Sequence, residues 1–203
     1  MKKERLSDWK DAPIARVLDA AEQGNAEAQN QLGEMYGNGR GVEQNEKQSM
    51  AWFRKAAEQG NAEGQYQLGV CYNIDDVPDN KQAVIWWRKA AEQNHAQAQY
   101  RLGLMYSLGD GVPEDYRLAV VWTRQAAEQG HAKAQASLGW MYTLGQGVER
   151  DKVLAYVWHS VSVANGNTDA ITSRDGFGQL LSSTELQEAQ ELAGRYFEQF
   201  QPK

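Results

Sequence analysis

The 203-residue sequence predicts an all-α fold in which one pair of antiparallel helices is repeated four times. The first observation is a string of Ala-Ala-Glu-Gln followed by glycine or asparagine, which recurs at steps of 36, 34 and 36 residues. The string begins at Ala20, Ala56, Ala90 and Ala126. The second observation is that a Leu-Gly pair, a tyrosine and a tryptophan recur with the same steps. The third is the helical spacing of the apolar residues within each copy, such as Ala28, Leu32 and Met35. A fixed period of this length is typical of stacked helical repeats.

The start of the first helix of each copy, helix A, is predicted from the types of two consecutive residues. The preceding helix is expected to end at a residue in a left-handed conformation, and each copy has glycine or asparagine there, the residue types that tolerate this conformation. These residues are Gly24, Gly60, Asn94 and Gly130. The next residue is predicted to be an N-cap, the position that accepts a hydrogen bond from the first turn. The N-caps are Asn25, Asn61, His95 and His131.

The second helix of each copy, helix B, has a good N-cap seven residues before its tryptophan, and it follows a loop that is glycine-rich in every copy except the second. The N-caps are Asn45, Asp79, Asp115 and Asp151, and the tryptophans are Trp52, Trp86, Trp122 and Trp158. Small residues one turn before and after each tryptophan predict that the ring lies in the core. The loops follow helices and lack a Gly-Lys-Ser/Thr ending, so they are turns rather than phosphate-binding loops. The loop of the second copy, Asn73–Val77, is the shortest.

The two ends are predicted to cap the repeats. Asp11–Gln23 is predicted to be a lone helix B, and Thr168–Leu181 takes the place of a helix A that has lost its signature. Ser182–Glu185 is a capping box that starts a last helix. The predicted boundaries are 1–24 for the N-terminal cap, 25–60, 61–94, 95–130 and 131–166 for the repeats, and 167–203 for the degenerate repeat and C-terminal cap, all in one continuous domain.

Composition excludes several classes of protein. The net charge of -6 and the pI of about 5.2 argue against nucleic-acid binding, which requires a basic surface. No apolar run is long enough for a transmembrane helix. A single cysteine, Cys71, cannot form an internal disulfide. Because no signal peptide is visible, we expect a cytoplasmic location, or a periplasmic or secreted one if a leader has been removed.

The repeated residues resemble the Sel-one-like repeat of the tetratricopeptide superfamily. The pattern is spelled in the third and fourth copies by Ala119, Trp122, Ala126–Gly130, Gln135, Leu138-Gly139, Tyr142, Gly145–Val148 and Asp151. The resemblance implies a right-handed α-solenoid with capping helices, and a non-catalytic adaptor or scaffold of bacterial type that binds other proteins. Some cysteine-rich relatives are linked to penicillin binding, and the lone Cys71 departs from their paired cysteines.

The candidate partner-binding residues are positions of helix A that vary between copies and share one helix face. The resemblance implies that this face lines a concave groove. The set consists of Tyr66, Gln67, Val70, Tyr100, Arg101, Leu104 and Trp140. Aromatic and arginine side chains are frequent at interface hot spots, so this set predicts a peptide or protein partner. The alternative is that these side chains pack against neighbouring helices, which is favoured for Val70 and Leu104.

Other candidate sites are weaker. His95 and His131 occupy equivalent positions in different repeats, too far apart to share a metal, so no metal or cofactor is expected. Cys71 aligns with methionines and is predicted to be a small core residue, whereas His159 is predicted to lie on the surface. No set of catalytic residues can be assembled from the sequence, so we do not expect the protein to be an enzyme. The alternative functions are a hydrolase or penicillin-binding activity and a self-associating subunit, although a monomer is favoured. A further hypothesis is that Phe177, Leu180 and Leu181 occupy the groove.

Overall fold

The computed structural model describes residue 9 and residues 12–74 and 78–201, and all regular structure among them is helical. The helices are α1 (Ile14–Glu22), α2 (Ala26–Asn38), α3 (Glu46–Glu58), α4 (Ala62–Ile74), α5 (Asn80–Glu92), α6 (Ala96–Leu108), α7 (Tyr116–Glu128), α8 (Ala132–Leu144), α9 (Lys152–Ala164), α10 (Ile171–Gly178) and α11 (Ser183–Gln199). A short 3-10 helix, Thr168–Ala170, precedes α10. Within these described ranges, no helix is both long and apolar enough to span a membrane.

The chain forms two compact units, which meet in sequence at Gln93 and Asn94. In unit 1, helices α1 to α4 each pack against the next helix along the chain, ending with the α4–α5 pair. In unit 2, α6 to α9 do the same, and α10 and α11 both pack against α9. The even-numbered helices α2, α4, α6 and α8 are the A helices of the four repeats, and α3, α5, α7 and α9 are the B helices.

The predicted helix boundaries are confirmed in detail. Asn25, His95 and His131 cap α2, α6 and α8, and each accepts a hydrogen bond from the N–H group three residues later. In both histidines the acceptor is Nδ1. The residues predicted to be left-handed have φ values of 90° at Gly24, 85° at Gly60, 65° at Asn94 and 83° at Gly130. The B-helix caps Asn45, Asp79, Asp115 and Asp151 and the Ser182–Glu185 capping box are also present.

The core of each repeat is centred one residue beyond the predicted tryptophan. Trp52, Trp86 and Trp122 are only half-buried, and Trp158 alone is buried. The next residue is buried in every copy and lies against the glycine of the Leu-Gly pair on helix A. The pairs are Gly33 with Phe53, Gly69 with Trp87, Gly103 with Thr123, and Gly139 with His159. The glycine has no Cβ, so a side chain of helix B occupies the space instead.

A buried glutamine on helix A bonds to the B helix that precedes it. Gln135 donates from Nε2 to the carbonyl oxygen of Ala127 at 3.0 Å, and its Oε1 accepts from Nδ2 of Asn165 at 3.0 Å. Gln29 makes the first of these bonds to Ala21 and Gln65 makes it to Ala57, at 3.0 and 3.2 Å. These bonds satisfy amide groups that would otherwise be buried without a partner.

The two ends close the repeats with aromatic side chains. Trp9 is buried in a cluster that contains Val17, the α1 residue equivalent to Phe53. Asp11, the predicted first residue of this cap, lies outside the described residues. At the other end, Tyr196 on α11 and Phe200, which directly follows α11, pack against Trp158, with ring centroids 5.2 and 5.7 Å away.

Candidate functional site

In unit 1, the three candidate residues lie on α4 and are half-buried: Tyr66, Gln67 and Val70. Gln67 donates from Nε2 to Oε1 of Glu63 at 2.7 Å, one turn earlier on the same helix. The backbone carbonyl of Tyr66 accepts from the indole Nε1 of the buried Trp87 at 3.2 Å. These residues are therefore partly used in packing within the unit.

The equivalent stripe on α2 is polar. Asn30 and Gln31 are buried, and both donate to the carboxylate of Glu34, at 3.2 and 3.3 Å. Burial raises the pKa of Glu34, and the charge of Glu63 on α4 raises it further. On α2 this face therefore carries a carboxylate and amides, whereas on α4 it carries the apolar side chains of Tyr66, Val70 and Ile74, of which Ile74 is 72% exposed.

In unit 2, Tyr100, Arg101 and Leu104 lie half-buried on α6. The ring of Tyr100 packs against the capping imidazole of His131, with centroids 4.7 Å apart. Burial lowers the pKa of His131, and the positive charges of Lys133 and Arg101 lower it further, against the raising effect of its backbone hydrogen bond. The neutral imidazole can accept the N–H bond at the start of α8, which the protonated ring cannot.

Trp140 on α8 is the most accessible candidate, with 46% of its surface exposed. Its ring makes edge contacts with His159 and Phe177, at centroid distances of 5.4 and 5.9 Å. Of the three C-terminal residues considered as groove occupants, Phe177 reaches Trp140. Leu181 packs instead into the cluster around Tyr156 and Val157, and Leu180 is 65% exposed. The C-terminal segment thus contacts the indole through Phe177 and leaves much of it accessible.

The prediction that His159 lies on the surface is wrong. Its side chain is fully buried between Gly139, the edge of Trp140 and the ring of Phe177, which stacks on it at 5.5 Å and 8°. Neither ring nitrogen has a hydrogen-bond partner. Burial lowers the pKa of His159 to about 4, so the imidazole is neutral at pH 7 and packs as an aromatic ring.

Two exposed leucines extend the apolar surface of unit 2 beyond the candidate set. Leu108 is 67% exposed and Leu144 is 48% exposed, each four residues after Leu104 or Trp140 on the same helix. The sequence signal for them is the continuation of the i, i+4 pattern into the last turn of each A helix. Exposed apolar side chains grouped on one helix face are typical of interaction surfaces.

The other reactive side chains are accounted for by structure. His95 and His131 are N-caps, and Cys71 is half-buried beside the cluster of Phe53, Ala57 and Leu68. In the portion of the chain that the structure describes, no group of three or more histidine, cysteine, aspartate or glutamate residues is arranged to hold a metal ion. The glycine loops bend through left-handed residues such as Gly145 and Gly147.

Consecutive helix pairs with a shared packing scheme define a helical repeat protein. The Sel1 repeat model matches residues 26–61, 62–95, 96–131 and 132–167, so the chain belongs to the Sel1 repeat family.

Solved structures support the same assignment. A protective antigen of uropathogenic Escherichia coli with an SLR fold is 38% identical, with a TM-score of 0.88 over 92% of this chain and 41% of that one. A Sel1 repeat protein from Oxalobacter formigenes is 30% identical, with a TM-score of 0.78 over 94% of this chain and 82% of that one. The Helicobacter pylori cysteine rich protein B shares the fold at 22% identity and a TM-score of 0.51, over 61% of this chain and 90% of that one.

The chain spans about two fifths of the length of the E. coli antigen. No match is found among curated proteins.

Proposed function

We propose that this protein is a non-catalytic adaptor that binds a segment of another protein on the exposed face of its A helices. The Sel1 repeat is typically a protein-interaction fold. The observation that carries the proposal is the exposure of Trp140: the structure describes all seven tryptophans of the chain, and the other six are buried or half-buried. A large aromatic side chain that packs against two other rings and is still 46% exposed is suited to be an interface anchor.

The surroundings of Trp140 support a binding role over a purely structural one. Leu144 and Leu108 are exposed on the A helices of the same unit, although either could be polar without loss of core packing. Burial of these three side chains by a partner would remove apolar surface from water, which is the main favourable term in association.

The test compares the proteins captured by two variants, whose substituted residues have nearly equal exposed fractions. Leu144→Ser alters the A-helix face, and Val121→Ser alters α7, where Val121 is 47% exposed, close to the 48% of Leu144. Trp140→Ala is the third bait. Proteins captured from a lysate of the source organism by wild type and by Val121→Ser, and lost with Leu144→Ser and Trp140→Ala, would support the proposal.

Circular dichroism and thermal melts must show that each bait is folded. Equal capture by all four baits would contradict the proposed face. Light scattering on the wild-type chain tests the competing function, self-association, which predicts a dimer that Leu144→Ser dissociates.

A further inference from the structure

Charge is segregated among the A helices. In unit 1, α2 and α4 carry three glutamates, Glu27, Glu34 and Glu63, and no lysine or arginine. In unit 2, α6 and α8 carry Arg101 and Lys133 and no aspartate or glutamate. The basic pair therefore stands out in a chain whose net charge is -6.

The basic pair of unit 2 is a local cluster. Arg101 follows Tyr100 on α6, whose ring packs against the imidazole of His131 with centroids 4.7 Å apart, and Lys133 lies two residues after His131 in the first turn of α8. The positive charges of both side chains act on this imidazole. The positive end of the α8 helix dipole adds to the same potential. An anionic group placed here would meet two cationic side chains from adjacent A helices.

The cluster lies at one end of the apolar strip. On α8, Lys133, Trp140 and Leu144 share one face, at spacings of seven and four residues. On α6, Arg101, Leu104 and Leu108 are spaced by three and four residues on one face. Seven helical residues span about 10 Å, so the cationic end and the indole are about that far apart along α8.

We propose that this face of unit 2 binds a peptide segment of a partner protein with acidic residues at one end and large apolar residues at the other. The carboxylates would lie on Arg101 and Lys133, and the apolar side chains on Trp140, Leu108 and Leu144. A separation of about 10 Å corresponds to about three residues of an extended peptide or about two turns of a helix. This inference rests on the proposed function and specifies the chemistry of its partner.

The test is selection from a phage-displayed library of random peptides on the intact wild-type chain. We expect the selected peptides to be enriched in aspartate and glutamate, with large apolar residues at the stated separation. The double variant Arg101→Glu, Lys133→Glu should weaken the best of them about tenfold, because each reversed charge turns attraction into repulsion. The conservative variant Arg101→Lys keeps a positive charge at residue 101, so it should retain most of the wild-type affinity for these peptides.

The matched control is Arg117→Glu with Arg195→Glu, which gives the same change of net charge at exposed positions on α7 and α11. The proposal predicts that this variant binds the selected peptides as wild type does at physiological salt, where exposed charges are screened within about 8 Å.

Four results would overturn the inference. Peptides without acidic enrichment that still require Trp140 would overturn it and leave the proposed function standing. Both proposals would be overturned if neither Trp140→Ala nor Leu144→Ser changed the affinity for the selected peptides. They would also be overturned if no peptides were selected at all. A wild-type dimer that the Arg101→Glu, Lys133→Glu variant dissociates would show that the face joins two copies of this chain.

Discussion

The imidazole of His159 lies so close to Gly139 that a Cβ on residue 139 would be 2.9 Å from its Nε2 and its Cδ2. This contact closes the gap between α8 and α9. Because the imidazole is also stacked on Phe177, it has little room to retreat. The pair shows how each repeat joins its helices: a glycine on helix A faces one buried side chain of helix B.

Gly139→Ala is therefore expected to destabilise the protein by about 1–3 kcal/mol, the usual cost of overpacking a core. Urea unfolding followed by circular dichroism measures the change. Gly194→Ala is the control, because nothing lies within 4 Å of the corresponding Cβ in α11, and it should stabilise the helix by about 0.5–1 kcal/mol. A loss as large at residue 194 as at residue 139 would contradict the packing argument.

His159 should make the protein sensitive to acid. Its pKa is lowered from 6.5 to about 4 by burial, so the unfolded chain binds the proton more readily. The neutral His159 makes its full contribution to stability above pH 6.5. As the pH falls toward 4, this contribution is lost, and the free energy of unfolding decreases by about 3 kcal/mol.

His159→Phe places at this position the residue type found at Phe53 and removes the titration. The difference in free energy of unfolding between variant and wild type should grow as the pH is lowered from 7 to 4. Comparing the two proteins cancels the effect of other titrating groups. A difference that stays constant with pH would show that His159 is not buried in its neutral form.

Gly147→Ala should be more harmful than Gly60→Ala, although both residues are left-handed, with φ of 72° and 85°. The strain of a left-handed alanine is about 1–2 kcal/mol at either site. A Cβ on residue 147 would also collide with the carbonyl of Tyr116, whereas none of the atoms around residue 60 is within 4 Å. Thermal melts of both variants check the order, and equal melting temperatures would disprove it.

Gln135→Met retains the size of the side chain and removes its three hydrogen bonds, to the carbonyl oxygens of Ala127 and Phe200 and to Nδ2 of Asn165. We expect a loss of about 1–2 kcal/mol, since buried partners lose their bonds without regaining water. Gln97→Met on α6 is the control, because Gln97 is exposed and should change stability by less than about 0.5 kcal/mol. Chemical denaturation measures both variants.

The helices and their order could be predicted from the sequence because the signals that start and end a helix are local. N-caps such as Asp115 and His131, and left-handed residues such as Asn94, act within one turn of the chain, so residue type alone indicates them. The Sel1 period then places the repeats. The segment after Gly166 was harder to predict, because its packing depends on which side chains of α9 it meets.

The position that follows each tryptophan could not be interpreted from variation alone. Variable residues are usually exposed, yet Phe53, Trp87, Thr123 and His159 are all buried. The invariant glycine opposite them permits any of these shapes, and this pairing is visible only in three dimensions. For the same reason, the sequence could suggest that Phe177 occupies the groove but could not predict that its ring contacts Trp140.

The choice of imidazole at residue 159 also bears on where the chain opens first. The three other repeats fill the equivalent space with a phenyl ring, an indole or a hydroxyl group, none of which gains a proton in mild acid. We therefore expect acid to loosen the fourth repeat, and Phe177 with it, before the three other repeats. Amide hydrogen exchange near pH 4 would then show α8, α9 and α10 opening as a unit at a lower free energy than the repeats before them.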